Sequence, residues 1–182
     1  MFHTESVGPS EWVCRWLRDH PAGHSCLDLA CGSGRHALWL AGRGWQVCAV
    51  DQDSSSLGAI ASSDASVTCV HADLEAAPWP LPGRSFDAVV VTNYLWRPLW
   101  PYILSSLAPE GLLIYETFSR EQARIGRPRN PDFLLEPGEL LQRCQSLRIL
   151  AYEDLRLGNP DRFVQRIAAR RERADDLPRH AN

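Results

Sequence analysis

The chain has 182 residues, 45% of them hydrophobic and 23% charged, with a formal net charge of −3. It is long enough for one domain with a real core, and its mild acidity argues against nucleic acid as the dominant partner. All 19 basic residues are Arg, which excludes chemistry through a lysine Schiff base or a lysine general base.

The N-terminal "MFHTESVGPSEW" lacks the apolar core of a signal peptide, and no apolar run approaches membrane-spanning length. A cytoplasmic protein with no membrane partner is therefore expected. Residues 10–19 have helical spacing, with Ser10 as N-cap and Trp12, Val13, Trp16 and Leu17 on one stripe. A strand over Ser25 to Ala30 leads to a helix carrying Ala37, Leu40 and Ala41, which stops in the Gly42–Gly44 turn. Next come a strand over Gln46 to Val50, a short helix near Ser54 to Ile60 and a strand over Val67 to His71. "PWPLPGRS" is too broken by proline for a good helix.

"FDAVVVTN" is the most apolar strand, the kind found at a sheet centre. A helix is expected from Pro98, with Leu99, Ile103 and Leu107 on its core face, and "PEG" then turns into a strand over Leu112 to Thr117. After a long connection, Gly138 to Cys144 reads as helical, and "LRILAYEDLRL" and "RFVQRIAARR" flank the hairpin turn "GNPD". Alternating strands and helices favour a parallel sheet covered on both faces. The six cysteines form no CxxC pair and are not bracketed by His. They read as small buried hydrophobes in a reducing compartment, with no metal site expected.

Residues 27–37, "LDLACGSGRHA", run from a buried strand through a glycine-rich turn into a helix. Such a turn usually cradles phosphate on backbone N–H groups, yet Asp28 stands just ahead of the glycines and would repel a pyrophosphate. A ligand that brings cations in place of phosphates removes the conflict. Gly32 and Gly34 are expected to let the backbone approach that ligand, where a Cβ would collide. Asp51 ends the second strand in "VCAVDQD", where a carboxylate can accept from both hydroxyls of a ribose. Asp53 reads as the N-cap of the following helix. Asp73, in "VHADLE", is a ligand or a turn former.

Five βα-type units closed by a C-terminal hairpin, with "DLACGSG" in the first turn, resemble the class I S-adenosylmethionine-dependent methyltransferases. The resemblance runs from about Ser10 to Arg171, and the D-x-A/G-C-G-x-G pattern is that family's principal cofactor motif. It implies an α/β, Rossmann-like three-layer sandwich whose seven-stranded sheet runs 3-2-1-4-5-7-6, with strand 7 antiparallel. It implies S-adenosylmethionine as cofactor, with a sulfonium and an ammonium that suit Asp28 and a ribose that suits Asp51. It also implies that Asp73 accepts from the adenine amino group while Leu74 offers its backbone N–H to the ring. Ala30, Gln52 and Asn93 complete the implied cofactor set. Arg35 either reaches the methionine carboxylate as a charge-assisted pair or stays an exposed helix residue, and His36 reads as packing. One domain over residues 1–171 is expected, with the helix at 10–19 as a candidate lid and residues 172–182 as a disordered tail.

On the acceptor side, Asn93, Tyr94, Trp96 and Arg97 follow strand four, and Glu116 and Thr117 end strand five, at the edge where open α/β sheets bind ligands. Tyr94 and Glu116 are the candidates for positioning or deprotonating a methyl acceptor. "TNYLWRP" departs from the D/N-P-P-Y motif of the related enzymes that methylate adenine, cytosine or protein glutamine, which lowers a DNA-modifying reading. The connection from Phe118 to Leu135 is long for a compact domain. Ser119 and Gln122 carry a capping-box signature there, and Arg120, Arg124, Arg127 and Arg129 either hold an anionic acceptor or solvate a lid. The expected function is in-line methyl transfer to a small-molecule acceptor. A non-catalytic S-adenosylmethionine-binding module and an NAD(P)-dependent dehydrogenase are the alternatives. Intact Asp28, Gly32, Gly34 and Asp51 speak against the first, and Asp28 with the C-terminal hairpin against the second.

Overall fold

The computed structural model describes residues 8–173. The expected tail therefore lies outside the described residues from position 174 onward. Helix α1 (Glu11–Leu17) starts where Ser10 Oγ accepts the N–H of Trp12 at 3.2 Å. It buries Trp12, Val13 and Leu17, and the Trp12 indole N–H donates to the carbonyl of Ile167 at 3.2 Å. Strand β1 (Ser25–Leu29) runs through the glycine turn into α2 (Arg35–Ala41), which ends at Gly42. Strand β2 (Gln46–Asp51), helix α3 (Ser54–Ser63) and strand β3 (Thr68–His71) follow, with Asp53 as the N-cap of α3.

Strand β4 (Phe86–Thr92) crosses the middle of the sheet, with Ala88 to Val91 fully buried. The next helix is shorter than its periodicity predicts. A 3-10 turn at Arg97–Leu99 leads into α4 (Trp100–Ser105), so Leu99 and Ile103 are buried on it as expected while Leu107 already begins β5 (Leu107–Phe118). The reason lies at Gly111. A Cβ there would stand 2.8 Å from the Ala108 carbonyl and 2.9 Å from that of Phe86, so only glycine lets this chain fold back against β4 and start pairing early. Helix α5 (Glu139–Arg143) and the hairpin of β6 (Arg148–Gly158) and β7 (Asp161–Arg170) complete the domain.

The seven strands lie in the order β3-β2-β1-β4-β5-β7-β6, with β7 antiparallel to both neighbours. The other pairings are parallel, so β1 to β5 bring their carboxyl ends to one edge. Strand alternation sends Leu27, Val89, Val91 and Tyr115 to a core under α4 and α5. It sends Cys26, Val90 and Ile114 to a second core with Trp12, Leu40 and Ile60 from α1, α2 and α3. Three layers result, as the alternating pattern predicts.

The connection from Ser119 to Leu135 is closed at its base by a bridge between those two residues. Its expected capping box does not form. Gln122 spends its side chain on the carbonyl of Arg127 (2.9 Å) and the N–H of Phe163 (2.8 Å), leaving a 3-10 turn at Arg120–Arg124. Arg97 latches the far end, donating to the carbonyls of Asp132 and Leu134 and, through two nitrogens, to the Glu139 carboxylate. No helix of the described residues is long and apolar enough to cross a membrane.

Candidate functional site

A cleft of about 180 Å³ opens at the carboxyl edge of the sheet. It is lined by Ala30 after β1, Asp51 and Gln52 at the end of β2, Ala72 to Glu75 after β3, and Asn93 and Tyr94 after β4. Seven of the residues singled out in the sequence thus meet in one place. Asp51 binds the glycine turn itself: its Oδ2 accepts from the N–H of Gly32 at 2.8 Å and its Oδ1 from that of Asp53 at 2.9 Å. Each oxygen keeps a further lone pair for a ligand. Asp73 is a turn former, accepting from Glu75 and Ala76 N–H through Oδ1 alone, which leaves its second oxygen for the cleft.

The backbone around the cleft is strained. Ala30 and Asn93 have φ of 53° and 54°, a left-handed conformation that costs about 1 kcal/mol or more outside glycine and concentrates at functional sites. Gly32 has φ 53° and no protein atom within 4 Å of where a Cβ would stand. Its open side faces no neighbour. Gly34 differs from expectation, because a Cβ on it would strike the side chain of Ile60 at 2.5 Å. Its bareness serves the packing of α3 against the turn. Tyr94 Oη is buried without a hydrogen-bond partner. Burial first, then the carboxylates of Glu75 and Asp73, push its phenol well above the ordinary range, so it is a neutral O–H donor whose nearest acceptor is the Glu75 carboxylate, without a well-formed bond.

A second cleft, of about 420 Å³, lies beside the first, between the start of α1, the end of β5 and the tip of the β6–β7 hairpin. Arg35, Glu116, Arg162 and Arg166 line it with Ser10. Glu116 is fully buried. Its Oε1 accepts from Ser10 Oγ at 3.2 Å and from Arg162 at 3.4 Å, while Arg166 stands 3.5 Å from an Oε2 that makes no hydrogen bond. Arg166 faces Glu116 on one side of β7 and Glu153 of β6 on the other, with its Nε 2.6 Å from Glu153. The two clefts have no lining residue in common. A backbone bond links them, from the N–H of Asn93 to the carbonyl of Glu116 at 2.9 Å. Tyr94 and Glu116 therefore fall in different clefts, and Arg35 opens into the second.

Asp28 lines neither cleft. It is 1% exposed, and its Oδ2 accepts the N–H of Ala37 at 3.0 Å, which anchors the first turn of α2. Burial pushes its carboxyl up to about 7. His36 beside it is buried, held neutral by burial and by Arg35, with its ring nitrogen accepting the N–H of Ser10 at 3.1 Å.

Residues 26–111 match the family model of a methyltransferase domain. The matched stretch is just under half of the chain and contains the glycine turn, Asp51, Asp73 and Asn93. The fold of the chain is shared by TehB from Haemophilus influenzae (TM-score 0.72, 19% identity), covering 94% of this chain and 64% of that longer one. An S-adenosylmethionine-dependent methyltransferase from Mesorhizobium loti aligns with TM-score 0.68 and 19% identity, over 82% of this chain and 92% of that one. The N-methyltransferase NodS from Bradyrhizobium japonicum WM9 aligns with TM-score 0.71 and 15% identity, over 88% and 93%. At such identities the likeness speaks for the fold. No curated protein matches the sequence.

S-adenosylmethionine is the cofactor that the methyltransferase match implies, and the first cleft, which lies within the matched residues, fits it. Gly32 leaves a bare side, Tyr94 Oη lacks a partner, and the charged residues of the lining are the carboxylates Asp51, Asp73 and Glu75 with no Arg or His. A phosphate would be repelled there, and a phosphate-free ligand with hydroxyl, amino and cationic groups would not. Sequence reading missed Glu75, although it lies two residues past Asp73. It also missed Arg162 and Arg166, which the period of a strand puts on one face of β7, because nothing local says what that face meets.

Proposed function

We propose that the domain transfers a methyl group to a small-molecule acceptor by in-line displacement. The observation that carries the reading is the carboxylate-lined, cation-free cleft at the ends of β1 to β4, in a chain whose residues 26–111 match a methyltransferase model. Bound S-adenosylmethionine supplies an electrophilic methyl whose sulfonium departs as a neutral thioether, so the protein's main task is alignment.

In this reading Asp51 accepts from the ribose hydroxyls while it fixes the glycine turn. The free oxygen of Asp73 accepts from the adenine amino group and the N–H of Leu74 donates to the ring. Ala30, Gln52 and Asn93 shape the walls, and Gly32 admits the ligand to the backbone. Asp28 acts through the first turn of α2, which it anchors at the Ala37 N–H, and Gly34 through its packing. Arg35 is the cation next to the glycine turn, and Tyr94 and Glu116 position the reactants from opposite sides of the strand ends.

Calorimetry should find micromolar binding of S-adenosylhomocysteine and none of NAD or NADP. Tighter binding of NAD would overturn the reading. Methyl-labelled S-adenosylmethionine, incubated with the protein and a fractionated metabolite extract, should label a low-molecular-weight fraction.

A further inference from the structure

We infer that the second cleft is an anion site, which takes an acidic group of the methyl acceptor between the guanidinium groups of Arg35 and Arg162. The inference rests on the methyltransferase reading and adds to it the charge of the substrate.

The charges in the cleft do not balance locally. Arg35, Arg162 and Arg166 line it against Glu116 and Glu11, and Glu11 is an exposed residue of the first turn of α1. Arg166 is shared between Glu116 and Glu153, and Glu153 also draws Arg15 at 3.6 Å. Glu116, already bound by Ser10, has long contacts to both Arg162 (3.4 Å) and Arg166 (3.5 Å). The Nε of Arg162 is buried and donates to nothing. Among the described residues, the guanidinium of Arg35 reaches the Gly8 carbonyl alone, at 3.4 Å.

Arg35 and Arg162 also repel each other. After burial, Arg162 is the largest influence depressing the Arg35 guanidinium, with Glu116 and Asp28 acting the other way. An anion between the two would relieve that repulsion and satisfy the orphaned Nε, and the planar guanidinium fork matches a carboxylate or phosphate in geometry.

Two molecules can bring such an anion: the cofactor, through its own carboxylate, and the acceptor. The cleft favours the acceptor. It has more than twice the volume of the first cleft, about 420 against 180 Å³, and its far wall is β7 and the hairpin tip, which take no part in the first.

The test is titration of the S-adenosylhomocysteine-saturated protein with benzoate, inorganic phosphate and the neutral control benzamide, followed by calorimetry. Benzoate or phosphate should bind at least tenfold more tightly than benzamide, and less tightly as salt rises. Arg35→Gln and Arg162→Gln should each weaken that binding fivefold or more and change S-adenosylhomocysteine affinity less than threefold. Arg35 touches no buried carboxylate, so its variant keeps the test alive should Arg162→Gln fail to fold. The inference is overturned if neither anion outbinds benzamide, or if both variants bind anions as the parent does. It is also overturned if either variant loses tenfold or more in S-adenosylhomocysteine affinity while its affinity for methylthioadenosine, which lacks the carboxylate, is unchanged; the anion is then the cofactor's own. Failure of the parent protein to bind S-adenosylhomocysteine would strike the methyltransferase reading itself, and an anion preference persisting in that case would still stand as a property of the cleft.

Discussion

Asp51 performs two tasks with one carboxylate, holding the N–H of Gly32 and of Asp53 while facing the cleft. Removing an acceptor from buried hydroxyls costs about 1–3 kcal/mol. Asp51→Ala should therefore weaken S-adenosylhomocysteine binding roughly tenfold to a hundredfold, with some loss of thermal stability from the loosened turn. An unchanged dissociation constant would remove Asp51 from the site. Asp28 and His36 make a different prediction, about pH. Burial raises the Asp28 carboxyl from the usual 3.8 to about 7. Between those values the folded chain holds a proton that the unfolded chain has lost, so this group lowers stability as pH rises. Burial, then Arg35, lowers His36 from 6.5 to about 3; there the unfolded chain holds the extra proton, and stability rises with pH. The two slopes, each roughly 1.4 kcal/mol per pH unit at most, oppose each other where their windows overlap. Asp28→Asn should thus unmask a stability that climbs between about pH 4 and 6.5, and His36→Gln one that declines. Urea unfolding across that range checks this, and variant profiles parallel to the parent would contradict it.

Among the elements, the segment from Ser119 to Leu135 departs furthest from its sequence reading. Its length and four arginines suggest a lid, yet it is bridged at its base, buries Leu134 and Leu135, and lines neither cleft among the described residues. Arg97 from the β4–α4 connection does the fastening, against a Glu139 that is 6% exposed. Arg97→Ala would leave that carboxylate with Arg143 and the N–H of Glu136, at a cost of about 2 kcal/mol or more. Hydrogen exchange should then accelerate across this segment while cofactor affinity stays within about twofold. Uniform protection in the variant would show that other contacts hold the loop. The contrast explains what the sequence could and could not convey. Strands β1 to β4 and the helices between them are legible because each is short, periodic and bounded by glycine, proline or a capping residue. The first cleft is legible with them, since Asp51, Asp73 and Asn93 sit at strand ends that the topology must align. The latch is hidden because Arg97 finds its partners at positions 132 to 139, far along the chain. So is the second cleft, where α1, β5 and β7 meet only after the hairpin has folded back.

At the scale of the whole molecule, one sheet with two cores carries both clefts on a single edge. The antiparallel β7 matters here, because its turn end, with Arg162, comes to the same edge as the carboxyl end of β5. A parallel strand in that place would bring its last residues there instead. The register Glu116–Arg166–Glu153 ties β5, β7 and β6 together across that edge. The clefts share no lining residue, though a backbone bond from Asn93 to Glu116 links them, and that has a kinetic meaning. With the cofactor in the first cleft and the acceptor in the second, as proposed above, neither would cross the other's cleft, so addition to the enzyme should be random in order. With an acceptor in hand, S-adenosylhomocysteine should inhibit competitively against S-adenosylmethionine at every acceptor concentration, and noncompetitively against the acceptor while S-adenosylmethionine is below saturation. Inhibition that vanishes as the acceptor is raised would mean that the two binding events share one compulsory path.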